Sequence, residues 1–523
     1  MTPAWPAVER LLSLADSLGG AWSARARAST TIGRERALLR LVGVDGLDRA
    51  GQPLAARVVE RYLARDGRRL AGGLLLPFAV ALLEYESTPQ QLALDAASGA
   101  VDLGLEAELL QDPGRRAAAE TLALELAADA LERIDAGRTA ARELRDALGD
   151  PVRPWLGATL GEPNADEGRA EARHLAAGGV DVVRVRVPAG RELAERLRAV
   201  GLEPPLWRPR TAVPVGREPA EEAPAGSQRG LAALREVLDE AAAERSAYVR
   251  LMTTAAALSA PEQAVVAAFE RVDLVEADPV GEIVEGRVDP DRALADHADA
   301  RRLLARAGAG VLVGAGPLVV GPDLARGLPA AAPERAGRAL ALQALAVALA
   351  RHDGIRPERL LVGALPTWLP DERDPGAQAI AAVALRRAVF PDLGLVFDEP
   401  PLEPRAAARW PFLLAAALPW AGGAAALVLR RVEAGSLSAT AWGTRAAAEL
   451  AVASAAARPA GLVGPAREHA DAALAAAVAT LQRLADEGWP AVLGPASPPP
   501  DRLGSDAVAE RTDAFDPLAV RRP

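Results

Sequence analysis

Apolar residues in the first 150 positions recur at three- and four-residue spacing. The pattern covers 6–18, 33–42, 53–64 and 115–148. It predicts helices, because 3.6 residues per turn bring such positions onto one face. Ser87-Thr88-Pro89 predicts a helix start, a hydroxyl cap followed by proline at the first helical position. From Trp155 the rhythm changes. Short apolar runs at 155–160, 180–187, 247–252, 272–277, 310–314, 360–365, 394–398 and 425–430 alternate with helical segments. The segments between them are 167–177, 228–243, 261–271, 291–307, 332–352, 376–389 and 407–418, and 438–455 follows the last run. Strands alternating with helices predict parallel βαβ units, and eight such units predict an α/β fold, a (β/α)8 barrel. The rival doubly wound sheet favours a glycine-rich first turn, whereas the turn here reads Gly161-Glu162-Pro163-Asn164. The predicted organisation is a helical region over 1–150, a barrel over 151–460, and a helix with a Pro-rich tail over 461–523.

A barrel carries its chemistry on the loops that leave the C-terminal ends of its strands. Those loops are predicted at 161–166, 188–192, 253–260, 278–290, 315–324, 366–375, 399–406 and 431–437. The Pro- and Gly-rich stretch 206–226 predicts a long loop over the mouth.

Composition narrows the chemistry. The chain of 523 residues is half hydrophobic, alanine dominates, and aromatics make up 3%. That favours helix-rich packing of small side chains. The chain contains no lysine and no cysteine. A Schiff base with an aldehyde cofactor needs a lysine amine, and thiol nucleophiles or thiolate metal sites need cysteine. Any such group belongs to another chain. The net charge of −10 disfavours nucleic-acid binding. Residues 410–429 are uncharged, yet Pro411, Pro419 and Gly422-Gly423 interrupt them. They read as a buried helix, a turn and a buried strand rather than a membrane span. Residues 1–9 lack the charged and apolar regions of a signal peptide, so the protein is expected to be soluble and cytoplasmic.

The run Thr31-Ile32-Gly33-Arg34-Glu35-Arg36-Ala37-Leu38-Leu39-Arg40-Leu41-Val42-Gly43-Val44-Asp45-Gly46 resembles the α subunit of lysine 5,6-aminomutase, which uses adenosylcobalamin and pyridoxal phosphate. Thr88-Pro89-Gln90-Gln91 and Ser98-Gly99-Ala100-Val101-Asp102-Leu103 fit the same family. So do Gly179-Val180-Asp181-Val182-Val183, Tyr248-Val249-Arg250-Leu251, Val389-Phe390-Pro391 and Asp516-Pro517, in the same order along the chain. The resemblance implies a TIM barrel with helical additions and a smaller β subunit. That partner would hold cobalamin on its own domain and supply the lysine for pyridoxal phosphate. It also implies a radical 1,2-shift of an amine on a small amino-acid substrate.

Carried over position by position, the resemblance implies that Arg186, Gly190, Arg191, Thr253 and Thr254 line the cofactor. Asp278, Asp398 and Glu403 are the candidate catalytic acids. Several family positions differ here. The arginine and serine of the second-strand loop are Val187 and Glu192. The third-strand serine is Ala256, the fourth-strand tyrosine is Gly281, and the sixth-strand histidine is Ala364. Two readings follow: an α-subunit-like component of an aminomutase, or a non-catalytic paralogue that binds or regulates a partner. An unrelated barrel enzyme is the third.

Other candidates are weaker. His174, His297, His352 and His469 fall on predicted helices without metal-ligand spacing. Gly314-Ala315-Gly316 and Gly435-Ser436-Leu437-Ser438 allow a phosphate cradle or plain turns and caps. Arg184 and Arg186 alternate on one strand; they face either a ligand or solvent.

Overall fold

The computed structural model describes residues 5–48, 53–160, 166–185, 224–255, 258–286, 288–314, 332–365, 374–399, 409–431, 439–454, 462, 464–493, 508–512 and 515–519. Among them, β1 (Ser29–Thr31) pairs antiparallel with β10 (Val508–Glu510). The eight strands between these two are β2 (Trp155–Leu160), β3 (Val182–Val185), β4 (Arg250–Thr254) and β5 (Leu274–Glu276), followed by β6 (Gly310–Val313), β7 (Leu360–Gly363), β8 (Gly394–Asp398) and β9 (Ala425–Arg431). They close into one parallel barrel in chain order, with β9 returning to β2 through Trp155↔Leu427 and its neighbours. The predicted (β/α)8 class is therefore the observed one.

Helices follow the strands as the periodicity predicts. Asp166–Ala177, Pro224–Arg245, Ala260–Phe269, Pro290–Ala307, Ala332–His352, Pro375–Val389, Trp410–Ala421 and Ala439–Ser454 surround the barrel. The uncharged stretch forms the helix Trp410–Ala421, the turn Gly422–Ala424 and β9. Among the described residues no helix is long and apolar enough to cross a membrane. Thr88 caps the helix Pro89–Ser98, its hydroxyl accepting from the Gln91 amide at 3.2 Å. Some elements escape the periodicity, among them the helix Leu75–Tyr85. The helix Pro279–Gly286 lies inside the predicted loop 278–290. The β1–β10 pair is only three residues long on each side, too short for an alternating pattern to register.

Strand alternation sorts the barrel residues into two faces. Inside, Trp155, Val182, Met252, Leu274, Leu312, Leu361, Val396 and Leu427 form a closed apolar layer. Outside, residues such as Val183, Leu251, Val275, Val311 and Val362 pack against the helices. The N-terminal helices keep a second core around Leu39, Leu54, Phe78 and Leu92.

The run with the family resemblance builds the seam between that region and the barrel. Thr31 caps the helix Ile32–Leu41 and its hydroxyl donates to Asp296. Asp296 also accepts from Arg292 Nε at 2.5 Å, and both side chains are fully buried. Arg34 pairs with Asp299 at 3.2 Å and with Asp516 at 3.3 Å. Burial opposes that charge, but Asp299, Glu35 and Asp516 outweigh it and raise the Arg34 pKa. Glu35 accepts from the Thr30 hydroxyl and from the Leu74 amide. At Gly33 a Cβ would meet Asp296 Oδ1 at 2.7 Å and the Leu258 carbonyl at 2.9 Å, so the helix fits this close only without a side chain.

Candidate active site at the barrel mouth

One inward-facing step beyond the apolar layer, toward the C-terminal ends of the strands, the barrel lining turns polar. Thr159, Arg184, Thr254, Glu276 and Asp398 occupy these positions by strand alternation and register. Arg184 is 2% exposed and reaches across the interior. Its guanidinium donates to both oxygens of Asp398, at 2.6 and 3.0 Å, and its Nε donates to the Thr159 hydroxyl at 3.0 Å. Glu276 stands 4.0 Å away. Burial alone would lower the Arg184 pKa, but Asp398 first and Glu276 after it raise it. Among the described residues, this layer holds one guanidinium against two carboxylates. Its arginine is engaged by Asp398.

The expected site residues fare differently. Asp398 does lie at the mouth, but as the bidentate partner of Arg184 rather than as a free acid. Thr254 faces the interior and is half-buried. Thr253 shares the outward face of Leu251; it is buried against the helices, and its hydroxyl has no hydrogen-bond partner among the described residues. The expectation that Thr253 binds a cofactor in the mouth is corrected on that ground: alternation turns it away. Asp278 is buried and fully engaged with backbone. Its Oδ1 accepts from the amides of Val280 and Gly281, and its Oδ2 accepts from the Gly314 amide at 2.8 Å. That makes Asp278 a cap and a brace. Arg186, Gly190, Arg191 and Glu403 lie outside the described residues.

Sequence reasoning missed Glu276 and Thr159. The signal was present: Leu274 and Glu276 share one strand face, and a carboxylate there breaks an otherwise apolar inward stripe. The open question over Arg184 resolves inward. Glu399 turns outward and pairs with Arg430 at 3.2 Å. His297 is fully buried, with Nε2 2.7 Å from Glu282 Oε2. Among the described residues no cluster of His, Asp and Glu is arranged to hold a metal ion.

Comparison with solved structures finds dihydropteroate synthase from Anaplasma phagocytophilum, at 16% identity and a TM-score of 0.35, covering 57% of this chain and 100% of that one. Among curated proteins, the lysine 5,6-aminomutase alpha subunit of Acetoanaerobium sticklandii is 26% identical over 375 residues, 71% of this chain and 66% of that one. The alpha subunit of the same name from Fusobacterium nucleatum subsp. nucleatum is 25% identical over 377 residues, with the same two coverages. The matched part thus spans just under two thirds of the length of these relatives. The model of the D-lysine 5,6-aminomutase TIM-barrel domain of the alpha subunit matches residues 5–200 and 212–403, and its span takes in both the buried seam and seven of the eight barrel strands. With a closed eight-stranded barrel beneath that match, the chain belongs to the lysine 5,6-aminomutase alpha-subunit TIM-barrel family.

Proposed function

We propose that this chain is the barrel component of a cytoplasmic two-subunit aminomutase that shifts an amine between adjacent carbons of a small amino acid by a radical route. The observation that carries this is the family match over seven of the eight barrel strands, with a buried polar floor at the C-terminal ends of the strands, where barrel enzymes do their chemistry. Adenosylcobalamin and pyridoxal phosphate are the cofactors of this reading, held by a β subunit with a cobalamin-binding domain.

The described residues of this chain do not fit pyridoxal phosphate. Its aldehyde needs a lysine, and the chain has none. Its phosphate needs cations or N–H donors, and the floor's arginine is engaged by Asp398 beside a second carboxylate. The aldehyde must therefore be held by the partner. In this reading the chain's own contribution is the polar floor of the mouth, where Glu276, about one-fifth exposed, is the carboxylate that a substrate ammonium would meet.

The test is an absorbance titration of pyridoxal phosphate and adenosylcobalamin into the purified chain, with and without a candidate β subunit. An internal-aldimine band and retained cobalamin only in the mixture support the reading. Failure of both cofactors to bind in either condition overturns it. That outcome would leave the second reading, a non-catalytic barrel that engages a partner. The bidentate Arg184–Asp398 pair is compatible with it, since the floor's arginine is engaged by a carboxylate of the chain itself.

A further inference from the structure

The β6–β7 ladder ends at Val313↔Val362. One residue further, the carbonyls of Gly314 and Gly363 have no strand amide between them. The buried side chain of Gln343, from the helix Ala332–His352, supplies the missing rung. Its Nε2 donates one hydrogen to the Gly314 carbonyl at 2.7 Å and the other to the Gly363 carbonyl at 3.1 Å. The Gly314 amide donates to Asp278 at the end of β5. The Gly363 carbonyl also accepts from Arg386 Nε at 2.8 Å, from the helix Pro375–Val389. Gly314 has φ +60°, and a Cβ there would lie 2.4 Å from Gln343 Cγ, so the chain can turn under this amide only as glycine.

Asp278, Gln343 and Arg386 therefore run as a belt around three consecutive strand ends, each side chain bonded to the last backbone groups before a mouth loop. Arg386 is the telling member. It is 2% exposed, donates to the carbonyls of Gly363 and Ala382, and burial lowers its pKa to about 9 with no carboxylate among the described residues to offset it. A buried cation that serves only carbonyls is a poor way to gain stability; an apolar side chain of similar volume does better. Its use lies in direction, because a guanidinium fixes where the Gly363 carbonyl points.

We propose that Asp278, Gln343 and Arg386 are positioning residues that fix the C-terminal ends of β5, β6 and β7, and so set the direction of the chain at Gly314 and Gly363. This stands apart from the aminomutase reading, because the strand ends frame the mouth whatever ligand it takes.

Hydrogen–deuterium exchange by mass spectrometry on the full chain tests it, with peptides over 309–316 and 360–366 compared with peptides over β2 and β9. Gln343→Met keeps the volume and removes both donors. Arg386→Leu removes the fork, and Arg386→Lys returns one donor. The expected result is about tenfold faster exchange at the two strand-end peptides, with β2 and β9 unchanged and the Arg386→Leu melting temperature equal or higher. Arg386→Lys should recover part of the protection. Should Gln343→Met fail to fold, Asp278→Asn keeps its oxygen for the Val280 and Gly281 amides and loses only the acceptor for Gly314. Exchange should then rise at 309–316 alone. Unchanged strand-end exchange in these variants, or a rise spread evenly over the barrel with a fallen melting temperature, overturns the proposal.

Discussion

The seam beside the N-terminal helices and the mouth of the barrel are both built from buried charge, yet they answer to different constraints. At the seam Arg34 is held by Asp299 and Asp516 and Asp296 by Thr31, all distant along the chain, while Arg292 pairs with Asp296 one turn away on the same helix. The residues that resemble the family run sit here. At the mouth one pair, Arg184–Asp398, bridges the floor, and along the sequence the family positions after the strands hold Ala256, Gly281 and Ala364 instead of the residues the resemblance implies. Changing one member of the seam strands several buried charges at once. Changing a mouth residue strands few. The same barrel can therefore keep its frame while its chemistry drifts.

Substitutions on the two sides should separate these constraints. The largest effect is expected at the seam. Asp296→Ala leaves Arg292 charged, fully buried and without its carboxylate, and should cost about 3–5 kcal/mol of stability in denaturant unfolding. A loss below about 1 kcal/mol would mean that the seam tolerates change as readily as the mouth. At the floor, Asp398→Asn keeps one acceptor for Arg184, Glu276 stays nearby, and Asp398 is partly exposed. The expected loss is about 1–3 kcal/mol. If Asp398→Asn proves as costly as Asp296→Ala, the mouth is as constrained as the seam and the contrast fails.

The last effect is a slope. Burial, and after it Arg301, push His297 down to about 3 from 6.5, against Asp296, Asp278 and Asp353, which pull it up. Its folded pKa lies below the unfolded one, so the unfolded chain binds the proton first as pH falls. The stability this residue contributes is whole above about pH 6.5 and is lost toward pH 3, at up to about 1.4 kcal/mol per pH unit. Unfolding free energies at pH 7, 6 and 5 should fall more steeply for the natural chain than for His297→Gln. Parallel slopes would place the acid sensitivity elsewhere.

Much of the frame was legible in the residues. Short apolar runs set between segments of 3.6-residue period separate strands from helices without any knowledge of what they touch, so the eight strands and their order could be read along the chain. The cap at Thr88 and the break at Gly422-Gly423 are local chemistry and were legible for the same reason. The site was less so. Thr253 and Thr254 are neighbours of one kind, and only the register of β4 against β3 and β5 decides which of them faces the mouth. Asp278 sits at a strand end, where barrel acids often act. It becomes a brace because a helix begins at the next residue, Pro279, and Gly314 arrives beside it.

By itself, then, the sequence determined the kinds of element, their order, the closed parallel barrel, the family, and the exclusion of lysine and thiol chemistry from this chain. These follow from spacing and composition, which are properties of a line. The tertiary structure alone decided that Arg184 meets Asp398, 214 residues away, that Gln343 completes a strand ladder, and that Thr253 turns outward. Those follow from barrel closure and strand register, which bring together groups whose separation along the chain carries no trace of their contact.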